Sequence, residues 1–115
     1  MTVTIYHNPR CSKSRQTLVL LEERGLAPTV VEYLKTPPTK DELKAILKKL
    51  GLKPQDIVRK CEACYKDIGL KARTVSDDEL VTLMAENPIL IERPIVVAGN
   101  KAAIGRPPQS VLAIL

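Results

Sequence analysis

The stretch from Val3 to Tyr33 constrains the fold more than any other part of the chain. TVTIY alternates along Val3–Tyr6 and is rich in β-branched residues, which predicts a short strand. Asn8-Pro9 interrupts it. From Ser12 onward, Leu18 and Leu21 with Thr17 and Leu20 recur at helical spacing as far as Gly25, a residue suited to the position after a helix end. Pro28 then opens a second extended run, Thr29–Tyr33, which Thr36-Pro37-Pro38 closes. A strand, a helix and a strand within about 30 residues make a βαβ unit, whose crossover predicts two parallel strands.

The middle of the chain reads as helical. Thr39 and Glu42 have capping-box spacing, and Leu43, Ile46, Leu47 and Leu50 form an apolar stripe that Gly51 ends. Lys53-Pro54 starts a short helix through Asp56-Ile57-Val58-Arg59, and Ser76 with Glu79 repeats the capping box ahead of Leu80, Leu83 and Met84. Asn87-Pro88 stops that helix. Beyond it, Ile95-Val96-Val97 and Ala102-Ala103-Ile104 flank the turn Ala98–Lys101 as an antiparallel hairpin. Gly105-Arg106-Pro107-Pro108 starts a last helix with Val111, Leu112 and Leu115 inward. The order βαβ, helices, ββα predicts an α/β fold with a small four-stranded mixed sheet, and a length of 115 residues predicts one domain.

Composition narrows the function classes. With three Tyr and neither Phe nor Trp, the core must come from Leu, Ile, Val and Ala, and base-stacking nucleic-acid modules are disfavoured. Lys40, Lys44, Lys48 and Lys49 interleave with Asp41 and Glu42 as on a solvated helix face, so no nucleic-acid partner is expected. No apolar run approaches the roughly 20 residues that span a bilayer, so no membrane association is expected either. MTVTIYHNPRC lacks a secretory layout, and three cysteines cannot all pair internally, which favours reduced thiols in the cytoplasm. A single His argues against a metal site, and a net charge of +5 gives a mild preference for anions.

His7-Asn8-Pro9-Arg10-Cys11-Ser12-Lys13-Ser14-Arg15 carries the strongest chemical signal. A thiol is a nucleophile only as thiolate, and an ordinary Cys is only a few per cent ionised at neutral pH. Cys11 lies between strand and helix, where unpaired N–H groups and the positive end of the helix dipole favour the anion. His7, Arg10, Lys13 and Arg15 surround it in sequence, and Ser12 and Ser14 offer hydroxyls to the sulfur. The same loop is a candidate oxyanion cradle, with Ser14 and Arg15 among its candidate ligands. A buried structural Cys would not be flanked by so many polar residues. The motif is C-x-x-S, so turnover needs a thiol from elsewhere. Arg93-Pro94 and Arg106-Pro107 each hold a guanidinium base between rigid neighbours, and Arg59 ends the middle helical block. Convergence of these arginines on Cys11 would suit a tetrahedral dianion.

HNPRCSKSRQTLVLLEERG, VRKCEACYKDIGL, NPILIERPIVV and IGRPPQSVL together resemble the arsenate reductase family that couples to glutathione and glutaredoxin, over nearly the whole chain. The chain ends soon after Pro107, as in the short chromosomal members. The resemblance implies a thioredoxin-like fold with a helical insertion and Pro94 in the place of its cis-proline. It further implies that Cys11 attacks arsenate, with His7 helping to keep the thiolate ionised. Arg59, Arg93 and Arg106 match the family's arginine triad, the first assisting the thiolate and the other two gripping the oxyanion. The resemblance also implies no bound cofactor, glutathione as a co-substrate, glutaredoxin as a protein partner and arsenate or a similar oxyanion as the substrate; the expected state is a monomer.

Cys61-Glu62-Ala63-Cys64 departs from the pattern. The pair reads first as two small tolerated thiols; Cys61 and Cys64 as a redox couple of their own, as resolving partners for Cys11, or as half a metal site short of ligands, are the alternatives. Two other activities compete with arsenate reduction. A general thiol-disulfide oxidoreductase would not need three arginines on one anion. A Spx-like regulator of RNA polymerase typically has C-x-x-C where this chain has Ser14.

Overall fold

In the computed structural model, which describes residues 2–60, 62–69 and 75–115, the βαβ unit forms as its sequence predicts. Strand β1 (Val3–His7), helix α1 (Ser12–Glu23) and strand β2 (Thr29–Glu32) follow in order, and β1 and β2 pair in parallel with Ile5 opposite Val30. Gly25, at φ 76°, takes the left-handed conformation after α1, so that the Leu26 N–H reaches back to the Leu21 carbonyl at 3.2 Å. The chain divides into two compact units, Met1–Thr36 with Arg93–Leu115, and Pro37–Glu92.

The first unit holds the sheet, in the order β2-β1-β3-β4. The hairpin of β3 (Ile95–Ala98) and β4 (Lys101–Ile104) is antiparallel, turns at Gly99-Asn100, and joins β1 through β3. This is the four-stranded mixed sheet of a thioredoxin-like fold, with the helical segment inserted between β2 and β3. Period-two alternation puts Val3, Ile5 and His7 on the buried face of β1. There Val3 and Ile5 pack with Leu21, Val96, Ala98 and Val111 in an aliphatic cluster.

The second unit contains α2 (Lys40–Leu50), α3 (Pro54–Ile57), α4 (Ala63–Asp67) and α5 (Asp77–Glu86) among the described residues. Thr39 and Glu42 complete the expected capping box at α2, and the Ser76 hydroxyl accepts the Glu79 N–H at 3.1 Å at α5. Lys40 and Lys44 both reach Asp78, tying α2 to α5 and holding that carboxyl down to about 2. No helix among the described residues is long and apolar enough to cross a membrane.

Three local expectations are corrected. The short helix at Pro54 stops at Ile57, because Val58 turns extended and bridges to Ile91; the Arg59 N–H then donates to the Leu90 carbonyl at 2.7 Å. Adjacent β-branched residues favour that extended pairing over another helical turn. At the C-terminus the last helix is a 3₁₀ helix, Pro108–Ile114, in which Val111 is buried but Leu115 is 37% exposed. In the α5 stripe, Val81 rather than Leu83 completes the buried set with Leu80 and Met84.

Gly105 brings the end of β4 against α1. A Cβ there would lie 2.5 Å from Thr17 Oγ1 and 2.8 Å from Pro94 Cγ, while its N–H donates to the Pro94 carbonyl at 2.9 Å. The requirement is for space, since Gly105 is not among the positive-φ glycines. Gly105→Ala is expected to lower unfolding stability by about 1–3 kcal/mol, the cost of overpacking a tight contact. Chemical denaturation checks this, and an unchanged midpoint would show that Thr17 and Pro94 yield freely.

Candidate active site

The loop from Asn8 to Cys11 is shaped by a side chain that sequence reading treated only as a strand breaker. Asn8 is 5% exposed, and its Oδ1 accepts the Arg10 N–H at 3.0 Å, the Asx turn that Asn-Pro could have signalled. The Cys11 N–H donates to the Asn8 carbonyl at 3.0 Å, closing the loop. The fully buried Ser14 hydroxyl accepts the Asn8 N–H at 3.0 Å and hydrogen-bonds His7 Nδ1 at 2.6 Å. Arg15 braces the outside, its Nη1 donating to the Pro9 carbonyl at 2.8 Å.

Cys11 occupies the N-cap position of α1 in extended conformation and is half-buried. The N–H groups of Ser14 and Lys13, at the third and second positions of the helix, face the sulfur. Arg106 Nη2 lies 3.4 Å from Sγ, and its Nε donates to the Arg93 carbonyl at 2.7 Å, which fixes the guanidinium. Arg93, with Nε and Nη1 shielded from water, also hydrogen-bonds the sulfur through its side chain. Arg93 and Arg106 therefore meet at Cys11, a convergence that neither Arg-Pro setting implies by itself, and both Arg-Pro bonds are cis.

The electrostatics follow from these contacts. Burial alone would push the Cys11 thiol up, but the Ser14 N–H, the Arg93 side chain, the Lys13 N–H and the Arg106 charge together bring it below its ordinary value. His7 is lowered, chiefly by burial, against the pull of Glu32 and with help from Arg15. The imidazole is therefore mostly neutral at pH 7 and reaches Cys11 through Ser14, not as a cation beside the sulfur. The Ser14 hydroxyl is likewise turned to His7 and Asn8, and it is the Ser14 N–H that meets the sulfur.

The remaining candidates lie in the second unit. Arg59 is held by two carboxylates of that unit, Nε to Glu62 at 3.0 Å and Nη1 to Glu92 at 2.6 Å. Cys64 is half-buried, and burial, then Asp67 and Glu62, push its thiol up. Cys61 lies outside the described residues. Among the described residues no group of three His, Cys, Asp or Glu is placed to hold a metal ion.

The two thiols make a test within one molecule. The alkylation rate of Cys11 is expected to rise with pH about a midpoint below that of a free thiol, and that of Cys64 about a midpoint above it. Mass spectrometry of the separate peptides reads both; a Cys11 midpoint at or above the free-thiol value would contradict the electrostatic argument.

A thiolate with two guanidinium groups and free helical N–H groups around it can attack an electron-poor centre while its anionic oxygens are held. Known proteins resemble the chain over nearly its whole length. A model of the ArsC family matches residues 6–114. An uncharacterised protein of Escherichia coli K12, YfgD, is 51% identical over 98% of this chain and 96% of its own length. A Neisseria meningitidis serogroup A protein named arsenate reductase is 50% identical over 98% of this chain and 97% of its own. The solved structure of an arsenate reductase from Vibrio cholerae is 52% identical and superposes with a TM-score of 0.96, covering 100% of this chain and 98% of that one.

Proposed function

The chain belongs to the ArsC family, and from that premise we propose that it is an arsenate reductase whose nucleophile is the Cys11 thiolate, with glutathione and glutaredoxin as electron donors. The observation that carries the reading is the meeting of Arg93 and Arg106 on Cys11, with Arg106 Nη2 at 3.4 Å from the sulfur. A thiol that exchanged only disulfides would have no use for two guanidinium forks at the sulfur. A tetrahedral oxyanion uses both.

In this reading Arg93 and Arg106 hold arsenate while the Cys11 thiolate attacks arsenic. An S–As bond forms, an As–O bond breaks, and the oxygen leaves as water after protonation, with arsenic still As(V). The glutathione sulfur then attacks the Cys11 sulfur. An S–S bond forms as the S–As bond breaks, and its electron pair remains on arsenic. As(V) becomes As(III), and the two thiols supply the two electrons between them. Arsenite departs, and glutaredoxin reduces the mixed disulfide to restore Cys11. His7, Asn8 and Ser14 keep the loop in shape, and Arg15 braces it. Arg59 enters through the family pattern, as a residue that assists the thiolate and the arsenylated intermediate. The chain acts as one domain and a monomer in the cytoplasm, binding no cofactor.

Arsenate-dependent NADPH consumption, coupled through glutathione, glutaredoxin and glutathione reductase, tests the proposal. The expected result is a rate that saturates with arsenate. Turnover of a glutathione mixed disulfide without any response to arsenate would identify a general thiol-disulfide oxidoreductase instead.

A further inference from the structure

The sheet order separates the two flanks of β1. Arg93-Pro94 leads into β3 and Gly105-Arg106 follows β4, so the oxyanion-binding arginines stand on the β3 side of the strand that leads to Cys11. The opposite flank, toward β2, contains a cavity of about 210 Å³. One wall is the segment from His7 to Arg10, which runs directly into Cys11; the other is Glu32, Leu34 and Lys35 at the end of β2. The walls are adjacent because His7 and Glu32 are partners in the parallel ladder. Nothing in arsenate binding by Arg93 and Arg106 uses this cavity.

Its charges have a definite complement. Glu32 and Lys35 lie side by side, Oε1 to Nζ at 3.7 Å, with side chains 41% and 78% exposed. A weak, open pair of this kind can exchange its partners for those of a ligand. An α-amino acid head presents an ammonium and a carboxylate on one carbon, which matches a carboxylate and an ammonium set next to each other. Arg10, on the other wall, offers a guanidinium to a second carboxylate. His7 is mostly neutral at pH 7 and adds no competing charge. Two cations and one anion therefore face a ligand with two carboxylates and one ammonium. Glutathione carries that set, with its thiol between the γ-glutamyl head and the glycine carboxylate. Free cysteine lacks the second carboxylate, and an inorganic oxyanion has nothing for Glu32.

We propose that the cavity between residues 7–10 and residues 32–35 is the binding site for glutathione, with Glu32 and Lys35 taking the γ-glutamyl head and Arg10 the glycine carboxylate. The assignment rests on the reductase reading for its chemistry, since Ser14 leaves the Cys11 motif without its own second thiol. The two substrates then approach Cys11 from opposite flanks of β1. Arg10 is joined to Cys11 by one peptide bond, about 3.8 Å from Cα to Cα, so a peptide seated here lies next to the residue that carries the arsenylated sulfur, on the flank away from the oxyanion-binding arginines.

Binding is tested apart from turnover with S-methylglutathione, whose blocked sulfur allows no redox step. In amide NMR spectra of the full chain without arsenate, it is expected to shift the resonances of His7, Asn8, Arg10 and residues 32–35 saturably. Lys35→Glu should weaken that binding about twofold to fivefold, the scale of one exposed ionic contact. Wild type should prefer the free amine over N-acetyl-S-methylglutathione, and Glu32→Gln should lose the preference. In the coupled assay, Lys35→Glu should raise KM for glutathione with KM for arsenate moving far less. Shifts confined to other residues, equal shifts with inorganic phosphate, or an unchanged glutathione KM in Lys35→Glu would overturn the site. Saturable peptide binding in a protein that never responds to arsenate would uphold the site and reject the reductase reading. Arsenate turnover with no peptide shift in the cavity would do the reverse.

Discussion

Cys11→Ser is expected to reduce arsenate-dependent NADPH consumption to the background of the coupling enzymes, a loss of about 10³-fold or more, as for removal of a covalent nucleophile. The contacts around the sulfur show why no partial activity should remain. The N–H groups of Ser14 and Lys13, with Arg93 and Arg106, bring the thiol below its ordinary value and so raise its thiolate fraction. A serine hydroxyl starts many units higher, and the same donors leave it protonated. The redox step is lost as well, because an oxygen cannot form the disulfide whose formation delivers an electron pair to arsenic. The substitution is nearly isosteric at a half-buried position, so the unfolding midpoint should move little. Measuring both separates a chemical loss from a structural one. Arsenate-dependent turnover by Cys11→Ser would transfer the nucleophile to another thiol and sink the mechanism.

Most of the scaffold around that residue was legible because local rules determine it. The βαβ unit, the glycine stops after α1 and α2, the capping box at Thr39 and the Gly99-Asn100 hairpin each depend on residues close in sequence. The extended pairing of Val58 with Ile91 was not legible, because its partner is distant and a Pro-led helix start preceded it. The same difference runs through the site. Cys11 stood out from its neighbours and its place before a helix. The neutral state of His7 did not, because burial decides it, against the opposing pull of Glu32 on a different strand. The hydroxyl of Ser14 was assigned to the sulfur for a related reason: sequence places a side chain near a target but does not say which of its atoms faces it. Asn8 was legible in principle, since Asn-Pro before a helix is an Asx-turn signal as well as a breaker. The convergence of Arg93 and Arg106 rested on family resemblance, for no local rule joins residues so far from Cys11.

Arg106 is where the electrostatic and substrate-binding arguments make separable predictions. Arg106→Ala removes a positive charge at 3.4 Å from the sulfur and one of two forks proposed for the oxyanion. The expected loss in kcat/KM for arsenate is about 10²–10³-fold, the range for deleting one preorganised donor to a developing anion. The charge lowers the Cys11 pKa, so its loss must raise it and move the rising limb of the pH–rate profile to higher pH. Raising the pH should then recover the fraction of activity lost to protonation, while the fraction lost to weaker arsenate binding stays lost. Arg106→Lys divides the two effects differently. It keeps a cation, so the alkylation midpoint of Cys11 should remain near that of wild type. It loses the planar fork and the Nε–H that donates to the Arg93 carbonyl at 2.7 Å, so KM for arsenate should still rise. If the Lys variant restores both quantities, Arg106 acts only as a charge. If the Ala variant leaves the Cys11 midpoint in place, the lowered thiol owes its ionisation to Arg93 and the α1 N–H groups, and Arg106 belongs to the substrate alone.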